Sequence, residues 1–207
     1  MNLFMSLSIL IIFVVWLNYE IKKDTKLSNK SSEEFWKNES LANQKRPEDI
    51  SGLDYLTIPL DKLPMHDVSD GTSNSYRDTI LSLSDKKILN LSDLTNTELK
   101  LKYGISNFKI LSEYDNNYTK LVSILQKWGE RLYTQGYHKE ALTILEVAVN
   151  CNTDVRSTYL LLADIYAKQF SPGKIDLLMD KIHLSNIRNK EKLLLELEEH
   201  KNSIQLL

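Results

Sequence analysis

Hydrophobic and polar residues are distributed in four different ways along the chain. Residues 3–17 form an almost continuous apolar run, residues 20–50 are polar and charged, and residues 51–64 mix apolar residues with prolines. From Tyr76 onward, apolar residues recur three or four positions apart, which is the spacing of one face of an α-helix. Only six Gly and four Pro occur, too few for an all-β sandwich with many tight turns. The pattern predicts an all-α fold.

The N-terminal run is long enough to cross a membrane as a helix. Residues 1–19 carry no charged side chain, and at roughly 1.5 Å per residue they extend about 28 Å, close to the hydrocarbon thickness of a bilayer. Trp16 and Tyr19 lie at one end, where amphipathic aromatic residues favour the headgroup region. We expect a transmembrane anchor at 1–19. A cleaved signal peptide is the alternative, but no basic residue precedes the run and no small-residue cleavage site follows it.

Lysines flank the run on one side. Lys22, Lys23, Lys26 and Lys30 follow it, and no Lys or Arg precedes it. Because basic flanks stay on the cytoplasmic side, we expect a single-pass protein of the cell membrane with its soluble domain in the cytoplasm.

Two segments separate the anchor from the helical domain predicted at 76–207. Residues 20–50 are a polar linker, with a short helix that ends before Pro47. Residues 51–75 are predicted to be an extended arm, because Pro59 and Pro64 disfavour a helix interior. The arm either packs on the domain or is an exposed docking motif. The residues expected to pack are Leu53, Tyr55, Ile58, Leu60 and Leu63.

Capping signals predict short helices at the start of the domain. One helix begins near Ser75, and Thr95 with Glu98 forms a capping box at the start of another. Gly104 is a helix stop, and Ser106 caps a further short helix.

A repeat of 34 residues follows. Aligning 122–155 with 156–189 places Trp128 on Leu162 and Gly129 on Ala163. Each half predicts two helices around a short turn. The helices are expected at about 117–135, 138–150, 154–169 and 172–184.

These units resemble the tetratricopeptide repeat (TPR) family, and the order of anchor, arm and repeats is also similar to small membrane-anchored TPR proteins of Gram-positive anaerobes. The first unit matches the family at Trp128, Gly129, Ala141, Leu145 and Ala148, and departs at Leu132. The second matches at Leu162, Ala163, Tyr166 and Met179, and departs at Ile175 and Ile182. The resemblance implies a solenoid of helical hairpins. Two unrelated hairpins with chance matches are the alternative.

A solenoid needs covered ends, because each unit buries its face on a neighbour. The helices at 76–114 are expected to cover the first unit and residues 186–203 the last. A coiled-coil dimer formed by 186–203 is the alternative. The residues expected to face the repeats are Ile187, Leu193, Leu194 and Leu197.

The resemblance also implies a partner-binding groove on the first helix of each unit. The candidate groove residues are Gln126, Glu130, Tyr133, Leu160, Asp164 and Lys168. Two of them are acidic and only Lys168 is a cation, which disfavours a clamp for a partner's carboxylate. We therefore expect a protein or peptide partner with a neutral or basic segment. Alternatively, these residues are solvated or covered by the arm.

No pattern indicates catalysis. The four histidines are scattered without ligand spacing, Cys151 follows an apolar helix as a small buried residue, and no phosphate-binding glycine loop occurs. The net charge is −2 and no segment is strongly basic, so nucleic-acid binding is not expected.

The sequence thus predicts no enzyme, no cofactor and no metal site. It favours a membrane-tethered TPR-type interaction module or scaffold. The alternative is a structural subunit of a membrane assembly in which the anchor helix makes the main contacts.

Overall fold

A computed structural model describes residues 3–66 and 70–205, with side chains for 13–14, 16–23, 32–66 and 70–203. Residues 1–2 and most side chains of the predicted anchor at 1–19 lie outside this description, as do residues 67–69 of the predicted arm. The described residues form eight α-helices, a 3₁₀ turn at Leu60–Lys62 and no strand, which confirms the all-α fold. The helices are α1 (Leu3–Gln44), α2 (Gly71–Ser84), α3 (Asn96–Tyr103), α4 (Ile105–Thr134), α5 (His138–Asn150), α6 (Arg156–Lys168), α7 (Pro172–Leu184) and α8 (Lys190–Gln205).

The chain divides into two compact units, one of residues 1–50 with 94–108 and one of 51–93 with 109–207. In the first unit, α1 is a single helix of 42 residues that continues through the predicted polar linker. It ends before Pro47, as expected, but it is not short, since no Gly or Pro interrupts residues 20–44. In the part of the chain that the structure describes, no helix has an apolar stretch long enough to cross a membrane.

Helix α3 packs against α1 in the same unit. The Thr95–Glu98 capping box is present, and Gly104 ends α3 with a φ of +85°, so both predictions are confirmed. Glu39 of α1 accepts hydrogen bonds from Lys100 Nζ and from Thr97 Oγ1. A Cβ on Gly104 would lie 2.5 Å from the carbonyl oxygen of Arg46, so only glycine fits this close approach.

The prediction of a short helix capped by Ser106 is wrong. Helix α4 begins at Ile105 and runs for 30 residues without a break. No proline and only one glycine, Gly129, occur between 105 and 134, and one buried glycine does not end a helix that packs along its whole length.

The second unit begins with the arm and α2. Helix α2 starts at Gly71 rather than near Ser75, because Asp70 Oδ2 accepts hydrogen bonds from the Ser73 amide (3.0 Å) and hydroxyl (2.8 Å). The Leu56 amide donates to the Ile88 carbonyl (2.9 Å), and Ile58 and Leu63 are buried. Ile58 and Leu63 of the arm therefore belong to the core of the second unit.

Helix α2 runs antiparallel to α4 and covers its apolar face. Asp70 pairs with Arg131 near the end of α4, while beyond the other end of α2 the Leu91 amide donates to Asp115. Ile80 and Leu83 of α2 are fully buried in the core that α4 and α5 share.

Two helical hairpins follow, α4 with α5 and α6 with α7. Helices α5 and α7 begin at residues 138 and 172 and end at 150 and 184, where the sequence predicted them. The small residues of the first hairpin are buried, and a Cβ on Gly129 would lie 2.7 Å from Leu145 Cγ, so α4 and α5 are in close contact.

Helix α8 packs on α6 and α7. Leu193 and Leu197 are fully buried and Ile187 nearly so, in the same core as α6 and α7. Arg156 of α6 forms an ion pair with Glu196 of α8. Ile187, Leu193 and Leu197 therefore pack against the helices that precede them, as the sequence predicted.

Candidate interaction surface

The six predicted groove residues lie on two helices of the second unit. We call them the α4–α6 surface. It consists of Gln126, Glu130 and Tyr133 on α4 and Leu160, Asp164 and Lys168 on α6.

The structure brings three of the six together. The Tyr133 hydroxyl donates to Asp164 Oδ2 (2.8 Å), and Lys168 Nζ donates to the same carboxylate oxygen (2.8 Å) and to the Tyr133 hydroxyl oxygen (2.7 Å). The Lys168 ammonium also lies 5.3 Å from the centre of the Tyr133 ring, within range of a cation–π interaction. This triad joins the ends of α4 and α6 by side chains alone.

The triad largely neutralises its own charges. Burial disfavours the charged form of Asp164, but the hydrogen bonds from Lys168 and Tyr133 outweigh it and hold the pKa of this carboxyl below its usual range. The same carboxylate raises the pKa of Lys168. Neither charge is therefore freely available to a partner.

The other three residues stand apart from the triad. Gln126 Nε2 donates to Glu130 Oε2 (2.9 Å), one turn along α4. Glu130 is exposed and forms no ion pair with a described residue, so it carries the uncompensated charge of the surface. Leu160 is half-buried and packs against the core of α6, α7 and α8.

A cavity of about 290 Å³ adjoins the triad. The ring of His138 packs edge-on against Tyr133, with centroids 4.8 Å apart. Ile165 is almost completely buried, and Lys168 is at the rim. The residues that line the cavity are Tyr133, His138, Ile165, Lys168 and Gln169.

Sequence reasoning missed His138, Ile165 and Gln169 as site residues. His138 opens α5 directly after the Gly136-Tyr137 turn, which folds the chain back beside Tyr133. That turn is the feature of the sequence that could have indicated His138. No feature of the sequence indicates Ile165, since its spacing on α6 is that of an ordinary core residue.

No group of three or more His, Cys, Asp or Glu side chains in the described residues is placed to hold a metal ion. Cys151 is buried, and burial raises the pKa of its thiol to about 11, so it stays protonated and unreactive at neutral pH.

Comparison of the chain with protein-family models, with curated proteins and with solved structures found no match.

Proposed function

We propose that the chain is a membrane-tethered helical-repeat module of the TPR type that binds a protein or peptide segment on the α4–α6 surface. The observation that carries the proposal is the Tyr133–Asp164–Lys168 triad beside the 290 Å³ cavity. Binding sites usually combine a mostly apolar cavity with a few polar groups that are already held in place. The interval of 34 residues between α5 and α7 supports the repeat assignment.

The partner segment is neutral or basic. Lys168 is occupied by Asp164 and Tyr133, which leaves Glu130 as the charge that a partner meets. A lysine or arginine of the partner gains from Glu130, whereas an acidic side chain is repelled by it. An apolar side chain of the same segment fits the cavity beside Tyr133 and Ile165.

The sequence of residues 1–19 supports the tether. We propose one membrane crossing there, with the domain in the cytoplasm, from the uncharged run and the lysines that follow it. The chain should then stay with membranes through alkaline extraction, and its domain should resist protease added to sealed cells. Release by alkali, or digestion of the domain from outside, would contradict this part of the proposal.

Site-specific photo-crosslinking in cells tests the binding surface. A photoreactive residue at Glu130 should give a discrete adduct, whereas the same residue at Asp180 should not. Asp180 is an exposed acid on α7 without an ion pair to a described residue, which makes it a matched control. Equal adducts at both positions, or none at Glu130, would contradict the proposal.

Exposed aromatic residues on α1 favour a second candidate function. Phe35 and Trp36 pack against each other, with ring centroids 5.4 Å apart, but remain largely exposed. They give α1 an apolar surface of the kind that contacts another subunit, as in a structural component of a membrane assembly. Replacing both by Ser would then release the chain from its assembly and leave the Glu130 adduct unchanged.

A further inference from the structure

A second concave surface lies between α5 and α7, and residues of α6 also line it. This α5–α7 groove has a volume of about 220 Å³ and contains no residue of the α4–α6 surface. Leu162 of α6 and Val149 and Leu178 of the flanking helices are its buried apolar residues. The remaining residues that line it are Glu146, Asn150, Tyr166, Lys174, Leu177 and Lys181.

The single acid of the groove is already neutralised. Glu146 Oε1 accepts a hydrogen bond from the Tyr166 hydroxyl (2.8 Å) and lies 3.6 Å from Lys174 Nζ. The same ammonium is 4.9 Å from the centre of the Tyr166 ring. Lys181 has no such compensation, because Nζ donates to Asn150 Oδ1 (2.6 Å), a neutral amide, and pairs with no described carboxylate. The groove therefore has an excess of positive charge.

One stripe of α7 borders the groove and alternates basic and apolar residues. Lys174, Leu177, Lys181 and Leu184 lie at helical spacings of three, four and three residues, and all four are exposed. Leu177 keeps 64% of its surface exposed and Leu184 keeps 90%. Single exposed leucines are common, but two on one helix face beside an apolar groove form a patch that water solvates poorly.

A larger cavity of about 500 Å³ continues the groove and shares Val149 and Lys181 with it. Its charged residues besides Lys181 are Asp93, Asp154, Arg156 and Arg188, two of each sign. Because these charges balance, the positive excess is confined to the stripe on α7.

We propose that the α5–α7 groove binds an acidic amphipathic helix of a partner protein. Leucines spaced three, four and seven residues apart on such a helix pack against Leu177, Leu178 and Val149, as in other helix-in-groove interfaces. A carboxylate flanking those leucines meets Lys181, whose charge no described carboxylate compensates. The apolar floor is recessed between two helices, so a rod-shaped partner reaches it and a flat lipid surface does not. This surface selects the opposite charge from the α4–α6 surface, and it does not depend on that proposal.

Fluorescence anisotropy with the full chain in nanodiscs of phosphatidylcholine tests the proposal. The probe is a fluorescein-labelled amphipathic peptide of Leu and Glu, compared with its Leu/Lys counterpart. The Leu/Glu peptide should bind, and its affinity should fall when the salt concentration rises from about 50 to about 300 mM, because exposed charges are screened. The Leu/Lys peptide should bind at least about tenfold more weakly, since like charges oppose docking.

Two double variants locate the site. Leu177→Ser with Lys181→Glu removes an apolar contact and reverses the rim charge, and should weaken Leu/Glu binding by at least about tenfold. Leu195→Ser with Lys192→Glu makes the same chemical changes at exposed positions of α8 and should change binding by less than about twofold. Circular dichroism confirms that both variants keep their helices.

Four results would overturn the proposal. The first is that the Leu177/Lys181 variant binds the Leu/Glu peptide with the affinity of the wild type. The second is that the wild-type chain binds the two peptides equally well. The third is a dimer of the wild-type chain that this variant dissociates, because the occupant would then be a second copy. The fourth is burial of a dansyl reporter at Leu184→Cys in nanodiscs containing phosphatidylserine, without peptide, because the surface would then contact anionic lipid.

Discussion

Substituting Gly129 by alanine should destabilise the protein, although alanine is the better helix former. Gly129 is buried inside α4, and a Cβ at this position would lie 2.7 Å from both Cγ and Cδ2 of Leu145. Ordinary carbon–carbon contacts are about 3.5–4.0 Å. Leu145 is fully buried and its Cγ is attached close to the backbone of α5, so the side chain has little room to retreat.

Two opposing effects set the size of the change. Replacing glycine by alanine in a helix interior stabilises by about 1 kcal/mol. Overpacking a buried contact costs about 1–3 kcal/mol. The net loss is therefore about 1 kcal/mol, which lowers the midpoint of thermal unfolding by about 2–4 °C in a chain of this length.

Urea unfolding of the full chain in detergent, followed by circular dichroism, measures the effect. Gly173→Ala is the matched control, because Gly173 lies in the first turn of α7 and a Cβ there has no atom within 4 Å. The control variant should be as stable as the wild type or more stable, by up to about 1 kcal/mol. The two alanine substitutions should thus differ in sign.

A double variant separates the contact from other causes. Leu145→Ala alone should cost about 2–5 kcal/mol, since it leaves a cavity in the core. In that background the close contact no longer exists, so Gly129→Ala should stabilise by about 1 kcal/mol. If Gly129→Ala changes stability by the same amount with Leu145 present or absent, the inferred contact between α4 and α5 is wrong.

Three further predictions concern buried or paired polar groups. The Thr158 hydroxyl is buried and has no hydrogen-bond partner among the described residues, so Thr158→Val should raise the unfolding free energy by about 1 kcal/mol. Thr153→Val should lower it, because Thr153 Oγ1 accepts from a backbone amide (3.1 Å). Thermal unfolding distinguishes these signs. Hydrogen bonds from Arg131 and Ser73 hold the pKa of Asp70 well below its usual range, so the stability lost in Asp70→Asn should be constant above a pH of about 4 and shrink as the pH falls further. A stability difference between the two proteins that did not depend on pH would contradict the pairing. Burial raises the pKa of Cys151 to about 11, so stability should fall as the pH rises from about 9 towards 11, and less steeply in Cys151→Ala.

Local signals predicted the second half of the fold well. Helix α5 follows a turn at Gly136 and Tyr137, and α7 begins with Pro172, a residue suited to the first turn of a helix. Both are short-range features of the sequence. The capping box at Thr95 is equally local and is present.

The errors arose where distant residues decide the outcome. The sequence predicts a helix start near Ser75, whereas Asp70 caps α2 and is held there by Arg131, which is 61 positions away in sequence. Ser106 has the right side chain for a cap, but a helix continues through such a residue when both flanking segments pack on the same core.

Charge is the property that sequence counting represents least well at the candidate sites. A count of charged residues on the α4–α6 surface treats Lys168 as a free cation and Asp164 as a free anion. In the structure these two side chains contact each other and Tyr133, which leaves Glu130 as the charge that a partner meets. On the α5–α7 groove the reverse holds, since Glu146 is satisfied internally and Lys181 is not. Both surfaces belong to a chain with a net charge of −2, yet the contacts give them opposite preferences. Asp164 and Lys168 are one helical turn apart, but Tyr133 is 31 positions from Asp164 and Tyr166 is 20 positions from Glu146, and only the folded chain brings these hydroxyls to the carboxylates.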